Sequence, residues 1–279
     1  MSTTAAMSLT DQQTELLREV GYDDGRAGTS LLVDQRVVAT ESPHPDVEVL
    51  PIGQALKTYD WLQDLMFGLI DPDEDEHVQQ AAELLNDPVG HFVRVREGAV
   101  VTSPIQLFSI LETPQGRQFT HNVTVIEAGA DVEMIAGSAV PPSVHAGHHI
   151  SIDECYVREG ASCRSVSIEH WGANMESHGY ARTHIGAWAS ATTTTLQLAP
   201  IRHHVSNAVT WVDRGGRNND QAVMLAPAGT ERVVTSAVHL VGDGAGSESV
   251  TRLVSDGGVI VNHATLLGEA ADTHGFVGC

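Results

Sequence analysis

Fifteen histidines stand in a chain of 279 residues, and they gather between positions 145 and 204. The densest group is His145-Ala-Gly-His148-His149, followed closely by Asp153, Glu154 and Cys155. Imidazole, carboxylate and thiolate in one short stretch are a donor set suited to a transition metal. The competing reading makes each of these histidines, with His184 and His203–His204, a coil-edge side chain bonded to backbone groups. If the stretch is a strand, His148 and His149 point to opposite faces and cannot serve one site together. The acidic run Asp71-Pro-Asp73-Glu74-Asp75-Glu76 lacks the glycine and distal glutamate of a calcium loop and reads as the solvated start of a helix. Nucleophile-elbow, phosphate-loop and dinucleotide glycine motifs are absent, and Gly242-Asp-Gly-Ala-Gly246 is a turn because no helical pattern follows it. Three cysteines, at 155, 163 and 279, form neither a disulfide framework nor a zinc knuckle.

The elements that must carry these residues fall into two regimes. Residues 1–90 are mixed and partly helical. Ser8 or Thr10 caps a helix through Asp11–Val20 that Gly21 ends, and apolar residues spaced by three and four predict a second helix over Ile52–Leu69. The acidic run opens a third over Glu76–Leu85. From His91 to Cys279 the pattern changes to short runs of Val, Ile, Thr and Ser broken by glycine. Glycines 98, 129, 160, 186 and 215 are 31, 31, 26 and 29 residues apart, and 229, 244 and 257 follow at about half that interval. A period near 25–30 residues with two strand–turn units inside it marks a solenoid, whose strands are too short to bury their apolar side except between neighbouring coils. A mainly β chain, built as a parallel β-helix with a small helical N-terminal region, is therefore expected. An antiparallel sandwich is second, because hairpin signals such as Asn-Gly are missing.

Composition narrows the function. Fifteen basic residues against thirty-six acidic ones give a formal charge of −21, and Lys57 is the single lysine. Such a surface repels phosphate backbones and anionic headgroups, so neither nucleic acid nor membrane is an expected partner. The acidity matches a halophilic-type composition, with an acidic metal-storage surface as the alternative. No apolar run spans a bilayer and no basic-then-apolar leader opens the chain, so the expected location is cytoplasmic.

Two families come into view. The stretch from Pro141 to Gly160 superficially resembles the first metal motif of the cupins, which would make His145, His148, His149 and Glu154 the site of a metal-dependent small-molecule enzyme. Against this, cupins space their histidines at i and i+2, and no second cupin motif follows. A carbohydrate-active β-helix is disfavoured by only thirteen aromatic residues.

A broader resemblance runs over residues 15–279. Ser30-Leu-Leu-Val-Asp34, Val49-Leu-Pro-Ile-Gly-Gln-Ala-Leu-Lys-Thr-Tyr-Asp-Trp61-Leu62, His91-Phe-Val-Arg-Val-Arg-Glu-Gly98 with Ser103-Pro-Ile105, His121-Asn-Val-Thr-Val-Ile-Glu-Ala-Gly129, His149-Ile-Ser-Ile-Asp-Glu154 and His170-Trp-Gly172 are collinear with segments of the SufB/SufD family of iron–sulfur cluster assembly proteins. The order is most similar to its short archaeal members. The resemblance implies a right-handed parallel β-helix and a non-catalytic scaffold. On that scaffold a transient iron–sulfur cluster is built with a SufC-like ATPase partner and passed to acceptor apo-proteins. The chain would act as a homodimer or a SufB/SufD-type heterodimer, and would itself bind no nucleotide. It further implies that Cys279 occupies the family's late cluster or persulfide position, which tilts the reading toward SufB, with His263, Glu269 and His274 as neighbouring ligands. His149, Glu154 and His170 are additional candidate metal ligands. In the family a last coil and an ATPase-docking helical segment follow this point, so the expectation is that the sequence stops before them.

Overall fold

The computed structural model describes residues 9–84 and 86–279. In chain order the helical region contributes α1 (Asp11–Arg18), β1 (Gly28–Val33), β2 (Arg36–Glu41), β3 (Val47–Pro51), α2 (Ile52–Thr58), a 3-10 turn (Asp60–Leu62) and α3 (Glu76–Glu83). Strands follow: β4 (His91–Val95), β5 (Ile105–Ile110), β6 (Arg117–Ile126), β7 (Asp131–Ala139), β8 (Ala146–Val157), β9 (Ser162–His170) and β10 (Asn174–Ile185). The series ends with β11 (Ser190–Gln197), β12 (His203–Val212), β13 (Arg217–Pro227), β14 (Glu231–Leu240), β15 (Gly246–Asp256), β16 (Val259–Gly268) and β17 (His274–Gly278). Odd strands from β5 onward line one parallel sheet and even strands from β4 onward the other, so the chain winds as a two-faced parallel β-helix. The sheets run across residue 90, because β1 pairs in parallel with β5 and β3 pairs antiparallel with β4.

Strand alternation explains why the coils stack. One side of every strand faces inward, and parallel register places like residues on like. Val95, Ile126, Val157, Ile185, Val212 and Leu240 form a continuous buried ladder across the even sheet. Each such side chain contributes about 1.5–3 kcal/mol by burial, which a single isolated coil could not obtain. Nearer the starts of the same strands the inner ladder turns polar, through Gln118, His149, Ser177, His204 and Arg232.

The coil edge is set by residues with left-handed backbone. Gly98, Gly129, Gly160, Gly215 and Gly244 all have φ near +70°, and each donates its backbone N–H to the next coil. The fourth coil departs from the expected glycine series. Trp188, with φ +59°, holds the stacked position instead of Gly186, and its N–H donates to Arg214 O. Gly229 and Gly257 turn the opposite edge, which accounts for the half-period spacing. Close stacking also makes Gly242 intolerant, since an added Cβ would overlap the backbone nitrogen of Arg214. Gly242→Ala is expected to cost about 2–3 kcal/mol and lower Tm by roughly 5–10 °C. Gly179→Ala, where the nearest atom to the new Cβ is Ser151 Oγ at 3.6 Å, serves as the tolerated control. Equal Tm values for the two variants in a thermal melt would show that the coil edge has slack at Gly242.

The helices differ from expectation in length. Thr10 caps α1 with a capping box through Gln13, and the helix stops at Arg18, after which Gly21 turns at φ +100°. Ser8 and Leu85 lie outside the described residues. The helix expected over Ile52–Leu69 ends at Thr58. Tyr59 leaves helical geometry so that its hydroxyl donates to Glu48 Oε2 at 2.8 Å and its ring packs on Trp61 and Phe92. Tertiary contacts override the three-and-four periodicity there. Leu62, Leu65, Met66 and Leu69 still bury their apolar side, from turns rather than a helix.

Candidate functional site

The outer face of the even sheet is covered by the segment from Tyr59 to Leu84, which forms a strap across β6, β8 and β10. Ile70, Val78 and Ala81 of the strap pack on Ile150, Ile152 and Tyr180. Polar ties reinforce this. Glu154, fully buried, accepts hydrogen bonds from Phe67 N–H at 2.8 Å, Leu69 N–H at 2.7 Å and His121 Nε2 at 2.7 Å. Tyr156 donates to Leu65 O at 3.0 Å, Tyr180 donates to Asp75 Oδ1 at 2.7 Å, and Arg182 pairs with Glu74.

At the N-terminal end of α3 the strap brings His77 against two sheet histidines. His148 of β8 and His178 of β10 lie on adjacent strands, offset by two residues in register, and both face outward. His148 Nε2 is 2.8 Å from His178 Nδ1, and the His77 ring stacks on His178 with centroids 4.2 Å apart. His203, on the next coil, follows at 5.6 Å from His178. Among the described residues, His77, His148 and His178 are the one set of three or more His, Cys, Asp or Glu side chains that each bring one donor atom within 4.8 Å of the others. Burial, reinforced by the neighbouring imidazoles, lowers His178 to a pKa of about 4, and burial lowers His148 to about 4 despite the opposing charge of Glu176. Asp75 sits at the foot of the group. Burial raises its pKa, but hydrogen bonds from Tyr180 and His77 outweigh that and hold it below the ordinary value. Its carboxylate caps α3 through His77 N–H at 2.8 Å and lies 3.2 Å from His77 Nδ1.

The residues singled out from sequence are placed differently. His148 and His149 do face opposite sides of β8, as strand geometry requires. His149 points inward, bonds Gln118 Oε1 through Nδ1 at 2.7 Å and packs on Trp171, and burial lowers its pKa to about 3. Glu154 is consumed by the strap. His145 is exposed between β7 and β8, and His170 pairs with Glu19 at 3.0 Å on the other sheet. The cupin-like grouping of His145, His148, His149 and Glu154 is therefore overturned: His145 lies in a loop, His149 points inward, Glu154 is bonded to the strap away from His148, and a parallel β-helix is not a cupin barrel.

At the far end of the solenoid, Cys279 follows β17 and is exposed. His274 begins β17, His263 lies exposed on β16, and Glu269 accepts from His239 Nδ1 at 2.6 Å. These four are not gathered into a donor set like that of the three imidazoles. The other thiols turn inward. Burial pushes Cys163 up to about 12 and Cys155 well above its ordinary value, so both stay protonated. His77 and His178 were not legible as a site. The available signal was that 148, 178 and 203 stand roughly one coil apart, which stacks them.

Residues 109–266, more than half the chain and most of the solenoid, match the sequence profile described as SUF system FeS cluster assembly, SufBD core domain. The chain belongs to the SufB/SufD family. It is 27% identical over 268 residues to an iron–sulfur cluster assembly SufBD family protein of Archaeoglobus fulgidus, covering 95% of this chain and 72% of that one. A protein of the same description from Methanothermobacter thermautotrophicus is 25% identical over 283 residues, covering 99% and 69%. An 86-residue stretch, 31% of this chain and 18% of the relative, is 26% identical to the iron–sulfur cluster assembly protein SufB of Bacillus subtilis. Membership supports a role in iron–sulfur cluster assembly, and archaeal SufBD proteins are among its relatives. No helix among the described residues is long and apolar enough to cross a membrane.

Proposed function

We propose that this SufB/SufD-family chain is a non-catalytic scaffold subunit of a cytoplasmic SUF-type complex. In this reading a SufC-like ATPase supplies the nucleotide chemistry. A transient iron–sulfur cluster is built on the scaffold, as a homodimer or with a SufB/SufD-type partner, and passes to acceptor apo-proteins. One observation supports Cys279 as the point of cluster contact: it is the exposed thiol, whereas Cys155 and Cys163 face inward with raised pKa values. A thiolate is a soft ligand suited to iron and sulfide, and it must be accessible to receive and release them. His263, Glu269 and His274 are the nearest candidates in sequence to complete or tune the site.

Anaerobic reconstitution with iron and sulfide tests this. The wild-type chain is expected to develop a sulfide-dependent charge-transfer band at roughly 400–420 nm. Cys279→Ser should lose most of the band and of the bound iron and sulfide while keeping its β-rich circular dichroism. Unchanged iron and sulfide per chain in the variant would remove Cys279 from the site.

A further inference from the structure

We propose that His77, His148 and His178 bind one divalent late first-row transition ion, of the zinc or iron(II) class, that fastens the strap to the β-helix. Three imidazoles from three separate elements converge with every donor pair within 4.8 Å. Metal–imidazole bonds of about 2.0–2.1 Å place donors in a tetrahedral shell roughly 3.3 Å apart. The 2.8 Å contact between His148 and His178 must open slightly, and His77, whose donor atom lies within 4.8 Å of theirs, must draw in toward them. One of those two nitrogens carries the proton of their hydrogen bond; as the ion enters, that ring exchanges the proton through water to its other nitrogen, so both imidazoles ligate as neutral groups and no redox step is involved.

The surroundings match a metal-binding histidine in a second respect. Asp75 Oδ1 lies 3.2 Å from His77 Nδ1 and is itself held by Tyr180 at 2.7 Å. With Nδ1–H directed at a carboxylate, Nε2 is left as the lone-pair nitrogen, the outer-shell arrangement that orients and strengthens zinc-bound imidazoles. All three histidines are half-buried, so water retains access to a fourth position. A nitrogen-only donor set disfavours magnesium and calcium, which demand oxygen.

The last residue of this site, His178, stands 101 residues before Cys279 in the chain, and the site does not depend on the proposed scaffold role. The test uses the full chain carrying Cys279→Ser, so that the exposed thiol cannot compete, stripped with chelator and titrated with zinc by calorimetry and with cobalt(II) by visible absorption. One ion per chain is expected, with micromolar or tighter affinity and the intense d–d bands of a tetrahedral cobalt site. Zinc should also raise Tm by several degrees, because it binds only when strap and sheet are together. His178→Ala and His77→Ala should each weaken binding at least tenfold and abolish the Tm shift, whereas His203→Ala should change both little. His77 lies on the strap, so its variant remains informative if the sheet variant does not fold. Absence of stoichiometric zinc and cobalt binding, or binding unaffected by His77→Ala, would overturn the proposal.

Discussion

Glu154→Ala is expected to destabilise the fold by about 3–5 kcal/mol, the range for breaking a buried charged network by removing one partner. The total stability of a domain is about 5–15 kcal/mol, so a loss of this size changes the population of the native state. The carboxylate is 1% exposed and serves three donors at 2.7–2.8 Å. Two of them are backbone N–H groups of the strap, at Phe67 and Leu69, where no helix or strand supplies another acceptor. Phe67 has φ +56°, so this loop is held in a left-handed turn that the carboxylate helps fix. Removing it leaves two amides and the His121 Nε2 unsatisfied beneath apolar cover, each costing its own desolvation. Glu154→Gln should lose less, since one oxygen remains, although its amide group then faces a donor. Denaturant unfolding measures the loss, and hydrogen exchange should rise first at Phe67 and Leu69. A loss below 1 kcal/mol for Glu154→Ala would show that water or a shifted loop replaces the carboxylate.

The solenoid was legible because its cause is local and repeated. A residue with left-handed backbone must recur once per coil, glycine adopts that conformation most readily, and so the period surfaces in sequence. Trp188 shows the limit of that signal, since the position demands a backbone conformation and not a residue type. The strands β1 to β3 were not anticipated. β1 is buried at all six positions, Gly28–Val33, and therefore carries no alternation to read. β2 lies at the sheet edge and pairs antiparallel with β1, a local departure from the parallel repeat.

The histidines divide along the same line. That His148 and His149 face opposite ways follows from strand geometry alone. That His77 meets His148 depends on a strap joining residues 71 positions apart, which no periodicity encodes. Glu154 looked like a metal ligand because it is a carboxylate near histidines. Its partners are instead two amides from a loop that the sequence presented as helix.

Acid is expected to unfold this protein at a milder pH than its carboxylates alone would require, because His91 and His204 are buried as neutral imidazoles. Burial lowers His91 to a pKa of about 4, and burial together with the Arg232 charge lowers His204 to about 3. Both values lie below the ordinary histidine pKa of about 6.5. The unfolded chain therefore binds protons that the folded chain refuses. Each histidine contributes stability that is complete above about pH 6.5 and is lost as pH falls toward the folded value, at about 1.4 kcal/mol per unit. At pH 5.5 these two together cost about 3 kcal/mol relative to pH 7.5, and His148, His149 and His178, also lowered by burial, add to the fall. Asp153, Glu169 and Asp220, raised by burial, act in the opposite direction nearer their own range, so the window from pH 7.5 to 5.5 isolates the histidines best. The local bonding gives His204 little room to accept a proton. Its Nε2 receives the Gln197 amide at 2.9 Å, the same amide nitrogen donates to Glu169 Oε1 at 2.9 Å, and its Nδ1 is buried without a partner. Protonating Nε2 would set a donor against a donor while adding charge beside the buried Arg232. Denaturant midpoints at fixed salt should thus fall steadily from pH 7.5 to 5.5, and His204→Leu should remove about one proton from that slope. A midpoint that stays level across the window would mean that the folded chain accepts these protons, and that the polar inner ladder is wetter and more accommodating than its burial implies.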